Sequence, residues 1–140
     1  MKHSKSGNIF VIKLEPGEEI IGELTEFCRK EKVRSGFFQG IGALNYADIG
    51  YFSKEKKNYF FKKFERDMEI ANLSGNVAEH EGEIIVHAHI TLAGEDSKAF
   101  AGHLYRGMVS VTCEIFLTVL EGVLKRATDF ETELKLLNLE

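Results

Sequence analysis

Val109–Glu121 reads VSVTCEIFLTVLE, and its alternation decides the fold class. Val109, Val111, Cys113, Ile115, Leu117 and Val119 fall on one side of an extended chain. Ser110, Thr112, Glu114, Phe116 and Thr118 fall on the other. Strict period-two alternation over this length is the signature of a half-buried antiparallel strand.

Working outward, Glu83–Leu92 (EIIVHAHITL) shows the same period. Its even positions, Ile84, Val86, Ala88, Ile90 and Leu92, are wholly apolar and must face a core. Ser35–Phe52 is aromatic and glycine-rich with no helical period. It reads as two strands, or as one long bent strand bulged at its glycines. Asn58–Phe64, flanked by lysines, reads as an edge or hairpin strand, Met68–Val77 as a less regular one, and Asn8–Leu14 as the first strand. A short strand around Glu131–Leu137 finishes the sheet. Ile20, Ile21, Leu24, Phe27 and Cys28 share one helical face, which predicts a helix over Gly17–Glu31. Glu18 and Glu19 at its start and Arg29, Lys30 and Lys32 at its end complement the helix dipole.

One helix and about seven strands without βαβ alternation argue for an α+β domain. The expected architecture is a curved, mostly antiparallel sheet packed on one main helix. No linker, repeat or low-complexity tract divides the chain, so residues 1–140 read as a single domain. One helix cannot cover so much sheet, so the rest must be hidden by curling or by oligomerisation.

Hydrophobic residues make up 44% and charged residues 29%, a globular balance. The net charge of −4 is wrong for a nucleic-acid binder, whose affinity rests on clustered Lys and Arg. The one basic cluster, Lys54, Lys56, Lys57, Lys62, Lys63 and Arg66, is interrupted by Glu55 and Glu65 and reads as a solvated hairpin. Cys28 and Cys113 each fall on an apolar face outside any C-x-x-C pair, so both are expected as core thiols in a reducing, cytoplasmic setting. The positive stretch Met1–Gly7 has no apolar run after it, and no segment reaches membrane-span length, so neither a signal peptide nor a membrane partner is expected.

The chemistry-bearing residues are histidines. His87 and His89 occupy odd positions of Glu83–Leu92 and share the face that is not core. Same-face neighbours on a strand lie roughly 6.6 Å apart, close enough for two imidazoles to lean toward one ion. His103 follows the polar turn Gly94–Ser97, and a hairpin closing there would return it beside the other two. Three neutral imidazoles with an open fourth position suit zinc, and also nickel, cobalt or iron. His3, in a terminal stretch expected to fray, and His80, in a polar turn, are poorer candidates. Glu114 lies on the polar side of its strand, where it is either solvated or a base or hydrogen-bond partner near a metal. Gly40-Ile41-Gly42 lacks the third glycine and the following helix of a dinucleotide fingerprint, and reads as crowded or bulged strand.

Gly40-Ile41-Gly42-Ala43, Gly50-Tyr51-Phe52 and Glu69 to Asn76 (EIANLSGN), taken in order, resemble the PPC domain, the plant-and-prokaryote conserved domain. So do His87-Ala88-His89-Ile90, Gly102-His103-Leu104 and Thr112 to Leu117 (TCEIFL), and together these motifs cover nearly the whole chain. The resemblance implies an α+β fold assembled as a homotrimer. It also implies a free-standing prokaryotic type, because His87, His89 and His103 are similar to the pattern of prokaryotic members that hold a metal. The family is described as predicted DNA-binding, and its plant members place the domain after an AT-hook, where it mediates assembly and contacts with nuclear factors. This chain has no AT-hook, and Arg66–Ala71, aligned with the plant partner-binding segment, differs in its residues.

Three functions stand as expectations. The first is a metal-binding homotrimeric module for assembly or interaction in regulation. The second is a metal-dependent enzyme of hydrolase or lyase type, with Glu114 as the nearest candidate base. The third is the DNA-binding regulator of the family description, against which the charge argues.

Overall fold

The computed structural model describes residues 1–139; Glu140, the last position of the expected domain 1–140, lies outside the described residues. Nine strands and a single short helix are found among them. In chain order they are β1 (Lys2–Ser6), β2 (Ile9–Leu14), α1 (Ile20–Lys30), β3 (Gly36–Ser53) and β4 (Asn58–Phe64), followed by β5 (Met68–His80), β6 (Glu83–Ala93), β7 (Ala99–Val119), β8 (Lys125–Thr128) and β9 (Lys135–Asn138). This is an α+β arrangement.

The alternating stretch Val109–Glu121 forms the second half of β7, which ends at Val119. Cys113, Ile115 and Leu117 are fully buried and Val109 nearly so, while Glu114 and Phe116 face outward. Val111 departs from the expected pattern: it is exposed. The register explains this. Gly42 pairs with Cys113 and Leu44 with Val109, so β7 spends more residues than β3 between the same two rungs. The excess bulges out of the ladder and carries Val111 with it.

Ser35–Phe52 resolves into one long bent strand, β3, with a register shift between Gly40 and Gly42 against β5. A side chain at Gly42 would place its Cβ 2.0 Å from the Thr112 carbonyl oxygen, so crowding rather than nucleotide binding accounts for this glycine pattern.

The sheet curls by closing its own pairings. β3 pairs with both β5 and β7, β5 pairs with β6, and β6 pairs back with β7, all antiparallel. The long β7 makes this possible, since Ala99–His103 pairs with β6 while β7 from His103 onward pairs with β3. Inside lie Phe38, Leu44, Ile70, Leu73, Ile90, Leu92 and Ile115, each almost wholly buried. α1 covers one flank with Ile20, Leu24, Phe27 and Cys28, the face predicted from spacing. It starts later than Gly17 because Glu19 is its cap: the carboxylate accepts from the Ile21 and Gly22 amides at 3.2 and 2.6 Å. The same carboxylate accepts from the Gly107 amide at 3.0 Å and ties the helix start to β7.

Two small strands were not expected. β1 has no alternation to announce it, yet it pairs with β2 along its length. His3 is therefore held in a strand, edge-on to the Phe27 ring at 5.0 Å, and does not fray. β8 (KRAT) lacks an apolar residue larger than Ala; it joins β5 through a parallel bridge, Glu79 to Lys125, and pairs with β9. His80 lies at the end of β5, buried, with Nδ1 3.0 Å from the Arg126 carbonyl oxygen.

Candidate metal centre

The pleat and the register assemble the three histidines. On β6, Ala88 and Ile90 point to the core, which turns His87 and His89 to the outer face. The turn after β6 is closed by the Ser97 amide on the Gly94 carbonyl oxygen and by Lys98 N–H on Asp96. It returns the chain as β7 with His103 directly opposite His89. The ring centroids lie 5.3 Å apart for His87 and His89, 5.0 Å for His87 and His103, and 5.7 Å for His89 and His103. One nitrogen from each ring falls within 4.8 Å of the others, so these three can hold a metal ion.

Their environment suits that use. His87 and His103 are half-buried and His89 is exposed. Burial, with His103, Arg126 and His89 nearby, lowers the His87 pKa from 6.5 to about 4. Burial and His89 lower that of His103 as well. A neutral imidazole offers the lone pair that a metal needs. His103 Nδ1 is buried without a hydrogen-bond partner among the described residues, an orphaned polar atom that coordination or a bound group would satisfy.

The surrounding strands complete the pocket. Gly75 on β5 sits opposite Ala88, between the two histidine positions. A Cβ there would lie 2.1 Å from the His87 carbonyl oxygen and 2.5 Å from the Phe38 ring, so only glycine lets β5 approach so closely. Tyr59 of β4 lays its ring over His103 at 5.0 Å. A cavity of about 240 Å³ opens beside His87 and His103, lined also by Tyr59, Ile85, Arg126 and the Leu134–Leu136 segment. Arg126 Nη2 lies 3.5 Å from His87 Nδ1 and donates to Asn76 Oδ1 at 2.6 Å.

Glu114 is not brought to this cavity. It pairs with Ile41 and Lys13, whereas His103 pairs with Gly50 and His89 at the other end of β7. The expected base is thus out of reach, because one long strand carries both residues to opposite ends of the sheet. Sequence reasoning also missed Tyr59, Asn76 and Arg126. None lies in a spacing that points to the histidines; β4 brings Tyr59, the pairing of β5 with β6 sets Asn76 opposite His87, and the β8–β9 hairpin brings Arg126.

Fold and site together define a small α+β domain with a three-histidine cluster on the outer face of a closed antiparallel sheet. Residues 1–121 match the Plants and Prokaryotes Conserved (PCC) domain, and the chain belongs to that family. Among solved structures it is similar to an Archaeoglobus fulgidus protein described as metal-containing (33% identity, 96% of this chain and 95% of that one, TM-score 0.88). It is similar to a Pyrococcus horikoshii protein described as plant- and prokaryote-conserved (31% identity, 99% and 96%, TM-score 0.87). A Bacteroides thetaiotaomicron protein provisionally described as DNA-binding superposes with a TM-score of 0.95 at 28% identity, over 98% and 96% of the two chains. Two Synechococcus sequences named bifunctional protein GlmU are 30% and 28% identical over 111 residues, 78% of this chain. The chain spans 17% and 16% of the length of these curated relatives.

Proposed function

We propose that this chain is a metal-binding PCC-domain protein, a homotrimer of single-domain subunits that serves as a cytoplasmic assembly and interaction module in regulation. The observation that carries the reading is the convergence of His87, His89 and His103, with ligand atoms within 4.8 Å of one another. Zinc fits three imidazoles best, and nickel, cobalt or iron suit the same donors. The similarity to a metal-containing archaeal protein supports the assignment. No helix among the described residues is long and apolar enough to cross a membrane.

A second reading, a metal-dependent enzyme of hydrolase or lyase type, is favoured by the cavity beside His87 and His103. A bound metal would polarise a ligand or lower the pKa of water at its open position. Among the described residues the cavity is lined by Tyr59, Ile85, Val86, His87, His103, Arg126 and Leu134–Leu136, with no carboxylate to act as a base. The module is therefore the better-supported reading.

Elemental analysis tests the metal assignment. The purified protein is expected to carry about one divalent ion per chain, and His87→Ala with His89→Ala to carry none. Metal-free wild-type protein that cannot be reloaded with zinc, nickel or cobalt would refute the assignment.

A further inference from the structure

Among the described residues Arg126 is a buried charge without a counterion. The residue is 9% exposed and lines the cavity beside His87 and His103. Its protein partners carry no negative charge: the Lys135 carbonyl oxygen at 2.6 Å from Nη1, and Asn76 Oδ1 at 2.6 Å and His87 Nδ1 at 3.5 Å from Nη2. Its Nε–H is buried with no acceptor among the described residues. Carboxylates of the hairpin and of the adjoining β5 have other partners. Asp129 holds Thr132, Glu131 pairs with Lys54, Glu133 lies 3.9 Å from Lys57, and Glu79 pairs with Arg34.

An unpaired guanidinium in such a place is unfavourable, because desolvation is not offset by an opposite charge. A second cation bound at the adjacent histidines would make it worse. A small anion in the cavity would answer both charges at once, and the guanidinium fork is matched to planar or tetrahedral oxyanions. The cavity of about 240 Å³ has room for one small molecule. Arg126 comes from the β8–β9 hairpin, which lies beyond the residues 1–121 that match the family domain.

We infer that the C-terminal hairpin turns the histidine centre into a binding site for a small oxyanion, a carboxylate or phosphate group, anchored by Arg126. The inference rests on the metal reading for the anion's second contact only; the need of Arg126 for a counterion stands without it.

The test titrates the whole chain, metal-free and zinc-loaded, with acetate, inorganic phosphate and acetamide. The readouts are the NMR resonance of the Arg126 Nε–H group and the thermal midpoint. The expected result is a saturable shift with at least one oxyanion in both forms, tighter with zinc, and none with acetamide. The oxyanion that binds more tightly identifies the group. Arg126→Gln is expected to keep its zinc and lose about tenfold or more in oxyanion affinity. Arg126 also braces the hairpin, so if that variant fails to fold, the contrast between acetate and acetamide on the wild-type chain decides. No saturable change at the Arg126 resonance in either form would overturn the inference. A folded Arg126→Gln that binds oxyanion as well as wild type would do the same. A chain that takes up no zinc while its Arg126 resonance still answers to oxyanion would sink the metal reading and leave the anion site standing.

Discussion

Among single residues, burial sets the chemistry more than residue type does. Both thiols are fully buried, and burial pushes each to about 12, so Cys28 and Cys113 are packing groups and not nucleophiles. The same desolvation acts in the opposite direction on histidine, and this has a pH consequence for the metal-free protein. An unfolded chain protonates His87 as the pH falls through about 6.5, whereas the folded chain resists until about 4. Between those values the unfolded state holds more protons, so stability falls as the pH drops through that window. The urea midpoint of metal-free protein is expected to be lower at pH 5 than at pH 7.5, with a weaker dependence in His87→Gln. An unchanged pH dependence in that variant would show that His87 is not a source of the effect.

Among elements, the close packing of β5 on β6 is the feature that places the histidines. Gly75 carries that contact, and a methyl group there would meet backbone, which cannot rotate away. Gly75→Ala is therefore expected to destabilise the fold by about 1–3 kcal/mol and to weaken zinc binding, because His87 must shift with its carbonyl. Denaturant titration and zinc competition measure the two effects; wild-type values for both would show that the strands part without strain. The long β7 is the other decisive element. Its first residues hold His103 and its last ones the core, and the bulge between them turns Val111 outward. Alternation in Val109–Glu121 revealed a strand, but a two-residue period has no way to show where a bulge will reset it.

In the whole molecule, closure of the sheet hides Phe38 and Phe64 but leaves other large apolar groups outside. Phe37, Ile41, Val111 and Phe116 lie on β3 and β7, with Ile41 60% and Phe116 56% exposed. Exposed apolar groups gathered in this way suit the interface of the proposed homotrimer, since closed symmetry lets each copy bury its neighbour's patch. Phe116→Lys is expected to reduce a three-chain mass to one in light scattering at micromolar concentration, because the ammonium would be desolvated without a partner. A wild-type mass of one chain, or a variant that stays trimeric, would count against this interface. Charge argues about partners at the same scale. With a net charge of −4, and with Lys54 and Arg34 already in ion pairs, no sequence-selective duplex DNA binding is expected at physiological salt. A nanomolar, sequence-selective gel shift with a steep salt slope would overturn that. Sequence alone determined the α+β class, the helix face, both core thiols and the pairing of His87 with His89, because all of these follow from local period and short turns. Tertiary structure alone decided that Glu114 lies away from the histidines and that Tyr59, Asn76 and Arg126 lie beside them. Those relations depend on which strands pair across long separations and on how far a bulged strand bends, and neither quantity is written in any local spacing.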